Sequence, residues 1–243
     1  MTEGRDRLYA ESRPRVDDFM FDERVAEVFD DMIRRSVPGY GSIVAMTGVV
    51  AAEYAQAGSR CYDLGCSLGA TTVSMLRHLK APDCRIVAAD NAPAMIEKCR
   101  ANLQNASGGS AVDLVCADIR SLSIEDASVV VLNFTLQFLP PSERDALIAR
   151  IHGGLRRDGV VILSEKISSA GACEEVLMTR LHHGFKRANG YSSLEISQKR
   201  AALEKVLVPE SIETHEARLK DAGFRHVIQW FRCLNFASVL AVR

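Results

Sequence analysis

No Cys-x-x-Cys pair, no excess of either charge and no apolar run long enough to span a bilayer occur in the 243 residues. Each absence removes a class of function. Seven cysteines stand at 61, 66, 84, 99, 116, 173 and 233, odd in number and irregular in spacing. Neither a zinc cage nor a disulfide framework is indicated, and cysteine acting as a small core hydrophobe accounts for most of them. The six histidines offer no ligand set either. His182 and His183 are adjacent, so they should point to different faces of a helix, and no metal is expected. Thirty basic against thirty-one acidic residues leave a formal net charge of −1. A nearly neutral chain has no global attraction to nucleic acid or anionic lipid, so no direct nucleic-acid partner and no membrane are expected. The N-terminal stretch MTEGRDRLYAESRPRVDD lacks the apolar core of a signal peptide, which makes a cytoplasmic address the default expectation. There is no internal repeat and no low-complexity segment.

What is present suits one α/β domain. At 47% hydrophobic and 25% charged, a chain of this length can bury a substantial core. Residues 1–20 read as a flexible lead, and 21–243 as a single domain. Within it, 21–57 forms an N-terminal helical lid: a helix with Phe21, Val25, Val28, Phe29, Met32 and Ile33 on one face, stopped at Pro38-Gly39, and a second helix from Ser42 to about Gln56. From residue 60, short apolar strands alternate with helices: RCYDLG, RIVAAD, VDLVCAD, SVVVLNF and GVVILSEK, with helices at 69–79, 92–105 and 142–155. Continuous apolar strands alternating with helices predict a parallel sheet covered on both faces. A helical insertion occupies 167–209, a helix follows near 211–222, and FRHVIQWF with NFASVLAVR predicts a terminal antiparallel hairpin. The whole predicts a doubly wound, Rossmann-like, seven-stranded sheet.

In such a sheet, ligands bind beyond the C-terminal strand ends. Polar residues stand at those ends: Asp63 and the Gly65–Gly69 loop, then Asp90-Asn91, Asp118 and Asn133. The loop reads G-C-S-L-G, with Ser67 where the dinucleotide fingerprint needs its second glycine, so it fits a pyrophosphate poorly. An acid just before it, Asp63, suits a cationic amine better than a phosphate. S-adenosyl-L-methionine has an ammonium, a sulfonium and a ribose but no phosphate. Asp90 stands where a carboxylate accepts hydrogen bonds from both ribose hydroxyls. Asp118 can bind the adenine amine while the Ile119 backbone meets the ring nitrogen. Taken singly, Asp63 or Asp118 is as well explained by a helix cap or a turn. Their convergence points to the class I S-adenosylmethionine-dependent methyltransferase fold.

The blocks FDERVAEVF, SVPGY, YDLGCSLGA, VVLNFTLQFL, FKRANGYSSLEISQKR and ETHEARLKDAGF together resemble the carboxy-S-adenosyl-L-methionine synthase family from about Phe21 to the C-terminus. That resemblance implies an enzyme converting S-adenosyl-L-methionine and prephenate to carboxy-S-adenosyl-L-methionine and phenylpyruvate. Its product serves a downstream tRNA carboxymethyltransferase that forms uridine 5-oxyacetic acid at the wobble position. The resemblance also implies a homodimer, and contacts to the nucleoside substrate at Tyr40, Gly65, Cys66, Ser67, Asp90, Asn91, Asp118, Ile119, Asn133 and Arg200. The family chemistry passes through a carbanion on the methyl carbon beside sulfur, which demands a dry site. It also needs a fixed cation for the new carboxylate, a role for which Arg200 is suited because a guanidinium binds carboxylate bidentately.

Alternative readings accompany each sharper one. A lone arginine in a charged helix, such as Arg200, is ordinarily a solvated face, and Tyr40 after Pro-Gly is ordinarily a packed loop aromatic. Lys186, Arg187, Lys199 and Arg200 read as an anion pocket for prephenate plus ordinary surface rather than a nucleic-acid footprint. The apolar helical face at 172–181 reads as lid core or subunit interface. His182, His183 and Lys166 are candidate bases by type, with nothing in the spacing to select one. Two other functions stay open: a conventional methyltransferase acting on a small molecule or tRNA, and a non-catalytic S-adenosylmethionine-binding subunit.

Overall fold

The computed structural model describes residues 4–106 and 111–243. Helices α1 (Glu23–Ser36) and α2 (Tyr40–Tyr54) precede β1 (Arg60–Leu64), α3 (Ala70–His78), β2 (Arg85–Asp90), α4 (Pro93–Gln104), β3 (Val112–Cys116) and β4 (Ala127–Asn133). Then follow α5 (Pro141–Gly154), β5 (Leu155–Ser168), α6 (Ala172–Ala188), α7 (Ser193–Leu203), the two-residue β6 (Glu210–Ser211), α8 (Ile212–Asp221), β7 (His226–Cys233) and β8 (Phe236–Val242). The seven longer strands form one sheet in the order β3-β2-β1-β4-β5-β8-β7, with β6 pairing beside β5. Strands β1 to β5 run parallel, and β8 runs antiparallel to both β5 and β7. The expected seven-stranded α/β sheet with its terminal hairpin is what forms. The winding reverses between β1 and β4, which puts the ligand crevice at their C-terminal ends.

Both faces of the sheet are buried, as unbroken apolar strands require. On one face Leu64, Val130, Leu132 and Val161 pack with Ile148 and Ile151 of α5 and Leu219 of α8. On the other, Cys61, Ile86, Val129, Val131 and Ile162 pack with Met75 of α3 and Ala51 of α2. Each such aliphatic side chain stabilises the fold by about 1.5–3 kcal/mol. Close contact of α2 with α3 depends on Gly48, where an added Cβ would stand 2.5 Å from the Ser74 carbonyl oxygen.

The lead is not loose. Residues 4–20 contain no helix or strand, yet Asp6, Tyr9 and Phe19 are buried. The Asp6 N–H donates to Asp31 Oδ2 at 2.7 Å. Gln198 of α7 donates to the carbonyls of Tyr9 and Glu11 at 2.9 and 2.8 Å and accepts from the Arg13 N–H at 2.8 Å. An irregular strap whose backbone groups are satisfied by another element can be ordered without regular structure. The insertion divides into two helices at Gly190 (φ +85°). Ser192 and Glu195 then cap α7 reciprocally.

Candidate active site

Residues from the strand ends, α1, α6 and α7 enclose a cavity of about 730 Å³, a size that suits a drug-sized ligand. Tyr40, Gly65, Cys66, Ser67, Asp90, Asn91, Asp118, Ile119, Asn133 and Arg200 all line it. Asp63 does not. It lies inside β1, opposite Ala88 and Val131 in the sheet register, 1% exposed, and its Oδ2 accepts from Thr72 Oγ1 at 2.6 Å. Burial, together with the nearby Asp90 carboxylate, pushes its pKa up to about 6. In this structure Asp63 ties β1 to α3 beneath the loop rather than facing the cavity.

The loop after β1 is shaped by unusual backbone. Gly65 and Gly69 have φ +79° and +84°, and Ser67, which is not glycine, has φ +50°. A Cβ on Gly65 would stand 2.5 Å from Thr135 Cγ2, so glycine is required there for space as well as conformation. The Ser67 N–H donates to Asp90 Oδ2 and the Ala92 N–H to Oδ1, both at 2.9 Å. Asp90 therefore holds the loop while its remaining lone pairs face the cavity. Burial raises its pKa. Asp118 lies at the loop after β3, and the Arg120 guanidinium, 2.5 Å away, lowers its pKa. Asn133 ends β4, donating to Thr71 Oγ1 at 3.0 Å and accepting from Ser164 Oγ at 2.7 Å.

Beyond Asn133, Phe134 has φ +61°, uncommon for a bulky residue. The turn is held from below by Glu165 of β5, whose carboxylate accepts from the N–H groups of Leu136 at 2.9 Å and Gln137 at 3.1 Å. Complete burial pushes this carboxyl up to about 8. The strained turn presents Phe134 to Tyr40, with ring centroids 6.2 Å apart, and Phe138 to Phe21 at 5.2 Å. Phe21 and Phe29, expected on the packing face of α1, also wall the cavity. Their spacing distinguishes an inward face from an outward one, but not core from cavity.

Part of the lining is basic: Lys166, Lys186, Lys199 and Arg200 all contribute to it. Arg187 is exposed and does not line the cavity, so the expected four-residue cluster loses one member and gains Lys166 from β5. Lys199 is engaged already, with Nζ 3.1 Å from Ser36 Oγ and 3.6 Å from Asp6 Oδ2. His182 and His183 were expected on different faces; both line the cavity, their rings 6.5 Å apart, because neighbours on a helix differ by only about 100°. His182 Nε2 donates to the Ser36 carbonyl at 2.7 Å. Burial, then the charge of Lys186, pushes its pKa down to about 3, so it stays neutral and acts as a donor. Among the described residues no group of three or more His, Cys, Asp or Glu side chains is placed to hold a metal. No helix of the described residues is long and apolar enough to cross a membrane.

Comparison with known proteins gives this geometry a context. Residues 61–159 match the methyltransferase domain family. The chain is 56% identical to the carboxy-S-adenosyl-L-methionine synthase of Trichlorobacter lovleyi, over the full length of both chains. It is 53% identical to the synthase of Escherichia coli strain K12 / DH10B, over 98% of this chain and 97% of that one. The chain belongs to the carboxy-S-adenosyl-L-methionine synthase family. Among solved structures, a putative S-adenosyl-L-methionine-dependent methyltransferase from Methanococcus maripaludis superposes with a TM-score of 0.59 at 17% identity, covering 95% of this chain and 96% of that one. Human N-acetylserotonin methyltransferase in complex with S-adenosylmethionine gives 0.61 at 16% identity over 91% and 55% of the two chains. At such identities the fold is what is shared. The family's sheet thus carries S-adenosyl-L-methionine as a substrate. The donor set fits that molecule: a carboxylate at the end of β2 for the ribose hydroxyls, a second acid after β3, and a glycine loop that no pyrophosphate fingerprint completes.

Proposed function

We propose that this enzyme converts S-adenosyl-L-methionine and prephenate to carboxy-S-adenosyl-L-methionine and phenylpyruvate. The observation that carries the reading is the basic part of the lining, with Arg200 and three lysines sharing one cavity with the acids of the strand ends. A methyltransferase has no need of an anion site beside the methyl group it transfers. Carboxylation of that methyl carbon does, both for the incoming dicarboxylate and for the new carboxylate. Asp90 would hold the ribose, Asp118 with the Ile119 backbone the adenine, and Arg200 the carboxyl group that is transferred. Tyr40, Phe21, Phe29 and Phe138 surround the cavity with rings that exclude water, which would otherwise protonate a carbanion.

The enzyme's place beside a downstream tRNA carboxymethyltransferase, acting on the wobble uridine, rests on the family resemblance, as do homodimerisation and a cytoplasmic location. Val176, Leu177 and Leu181 stand exposed along α6, which supports a subunit interface there. The test is mass spectrometry after incubation with S-adenosyl-L-methionine, with and without prephenate. A prephenate-dependent species heavier by one carbon dioxide supports the reading. Accumulation of S-adenosylhomocysteine alone, with an acceptor present, returns the enzyme to methyl transfer.

A further inference from the structure

Two lysines in the cavity lack partners. Lys166, at the end of β5, and Lys186, on α6, make no side-chain hydrogen bond or ion pair among the described residues, and the same holds for Arg200 on α7. Lys199, next to Arg200 on α7, differs because Asp6 and Ser36 hold its ammonium. Lys186 is 8% exposed. A buried ammonium without a counter-ion costs several kcal/mol, so it either loses its proton or receives an anion.

We propose that Lys186, with Lys166 beside it, receives the carboxylate of prephenate that survives the reaction, the pyruvyl carboxylate retained in phenylpyruvate. This assignment rests on the reaction proposed above. Prephenate brings two carboxylates to the cavity, and each needs its own cation. Arg200, with its planar fork, suits the one that is transferred. Of the other cavity cations, Lys199 is already paired and Arg120 is held by Asp118 and Glu143, which leaves Lys186 and Lys166. A lysine can also do what an arginine cannot: remain neutral until its anion arrives.

The surroundings decide the pH dependence. Lining the cavity with Lys186 are Lys166 from β5, Lys199 and Arg200 from α7, His182, His183 and Glu175 from α6, and Asp30 and Ser36 from α1. Glu175 is turned to the Ser169 N–H at 2.8 Å, and Asp30 pairs with Arg34 at 2.6 Å. Burial, then the charges of Lys199 and Lys166, pushes Lys186 down to about 7. His183 is lowered too, chiefly by burial, so both histidines are neutral above pH 7. Binding the carboxylate requires protonated Lys186 and raises its pKa. Affinity is therefore full below about pH 7 and falls as pH rises, by up to about tenfold per unit. Lys199, held down to about 8 chiefly by burial, adds a later component that a change at Lys186 leaves in place.

The experiment compares wild type, Lys186→Gln and Lys186→Arg, with calorimetric binding of phenylpyruvate in the presence of S-adenosyl-L-methionine and steady-state kinetics with prephenate. Lys186→Gln should raise both the phenylpyruvate Kd and the prephenate KM by about tenfold or more, with most of the loss in KM rather than kcat. Lys186→Arg should restore both to within about threefold and remove the decline between pH 7 and 8. S-adenosyl-L-methionine affinity, unchanged in both variants, serves as the check on folding. An unchanged Kd and KM in Lys186→Gln, or a loss confined to kcat, overturns the assignment. So does a Lys186→Arg enzyme with the wild-type decline. Wild type that binds phenylpyruvate but makes no carboxylated product would overturn the reaction instead, while the binding comparison still decides the role of Lys186.

Discussion

The two walls of the cavity are built on opposite principles. Along the strand ends, the acids are held in advance: Asp90 by two backbone N–H groups, Asp118 by Arg120, and Asn133 between Thr71 and Ser164. In the basic wall, Lys166, Lys186 and Arg200 are positioned by helices and a strand end but hold no partner among the described residues. The first wall is preorganised for a ligand rich in hydroxyl and amine donors. The second is left electrostatically unsatisfied, so that an arriving anion completes it. On the proposed reading, one wall holds the nucleoside and the other receives the anionic second substrate.

Substitutions in the two walls should separate the two substrates. The largest effect belongs to Arg200→Ala: product formation, followed by mass spectrometry, should fall by at least about 100-fold (roughly 3 kcal/mol), while S-adenosyl-L-methionine affinity stays within about threefold. An intact product yield would remove Arg200 from the mechanism. Next comes Asp90→Ala, which loses both the ribose acceptor and the anchor of the Ser67 loop. Calorimetry should show S-adenosyl-L-methionine affinity reduced by roughly 30-fold, about 2 kcal/mol, with phenylpyruvate binding little changed. An equal loss for both ligands would break the separation of the walls.

Asp6→Asn probes what holds the basic wall in place. Asp6 binds the Tyr191 hydroxyl and pairs with Lys199, and Arg35 stacks 3.9 Å over the Tyr191 ring. Losing that charge should cost about 1–3 kcal/mol and lower the thermal midpoint by several degrees, with S-adenosyl-L-methionine affinity retained. The smallest effect is expected of Arg187→Ala. This cation is next in sequence to Lys186 but exposed and outside the cavity, so activity and stability should change by less than about twofold and 0.5 kcal/mol. A large effect there would mean the basic wall extends beyond the cavity.

The walls also differed in how readable they were. In the strand-end wall, an acid or amide ending an apolar run is a sharp signal, and Asp90, Asp118 and Asn133 all reach the cavity. Asp63 misled because it stands one residue inside β1, in register with apolar neighbours, where a side chain points into the layer rather than off its end. In the basic wall, Lys186, Lys199 and Arg200 were expected in an anion pocket, but nothing in the sequence separated them from the exposed Arg187. Lysines on α6 and α7 look like an ordinary solvated face until tertiary packing buries them, and Lys166 reads as the polar end of a strand. The lead hid its role in the same way: mixed polar residues suggest looseness, while the buried Asp6–Lys199 pair that orders it joins positions far apart in the chain.

The central claim is that the carboxyl group of prephenate becomes the carboxyl group of the product. Prephenate labelled with carbon-13 at its ring carboxyl, incubated with the enzyme and S-adenosyl-L-methionine in unlabelled bicarbonate buffer, tests it directly. The account predicts carboxy-S-adenosyl-L-methionine carrying the label in its new carboxyl group and unlabelled phenylpyruvate alongside. Unlabelled carboxylated product, or methyl transfer with no carboxylated product at all, would contradict it.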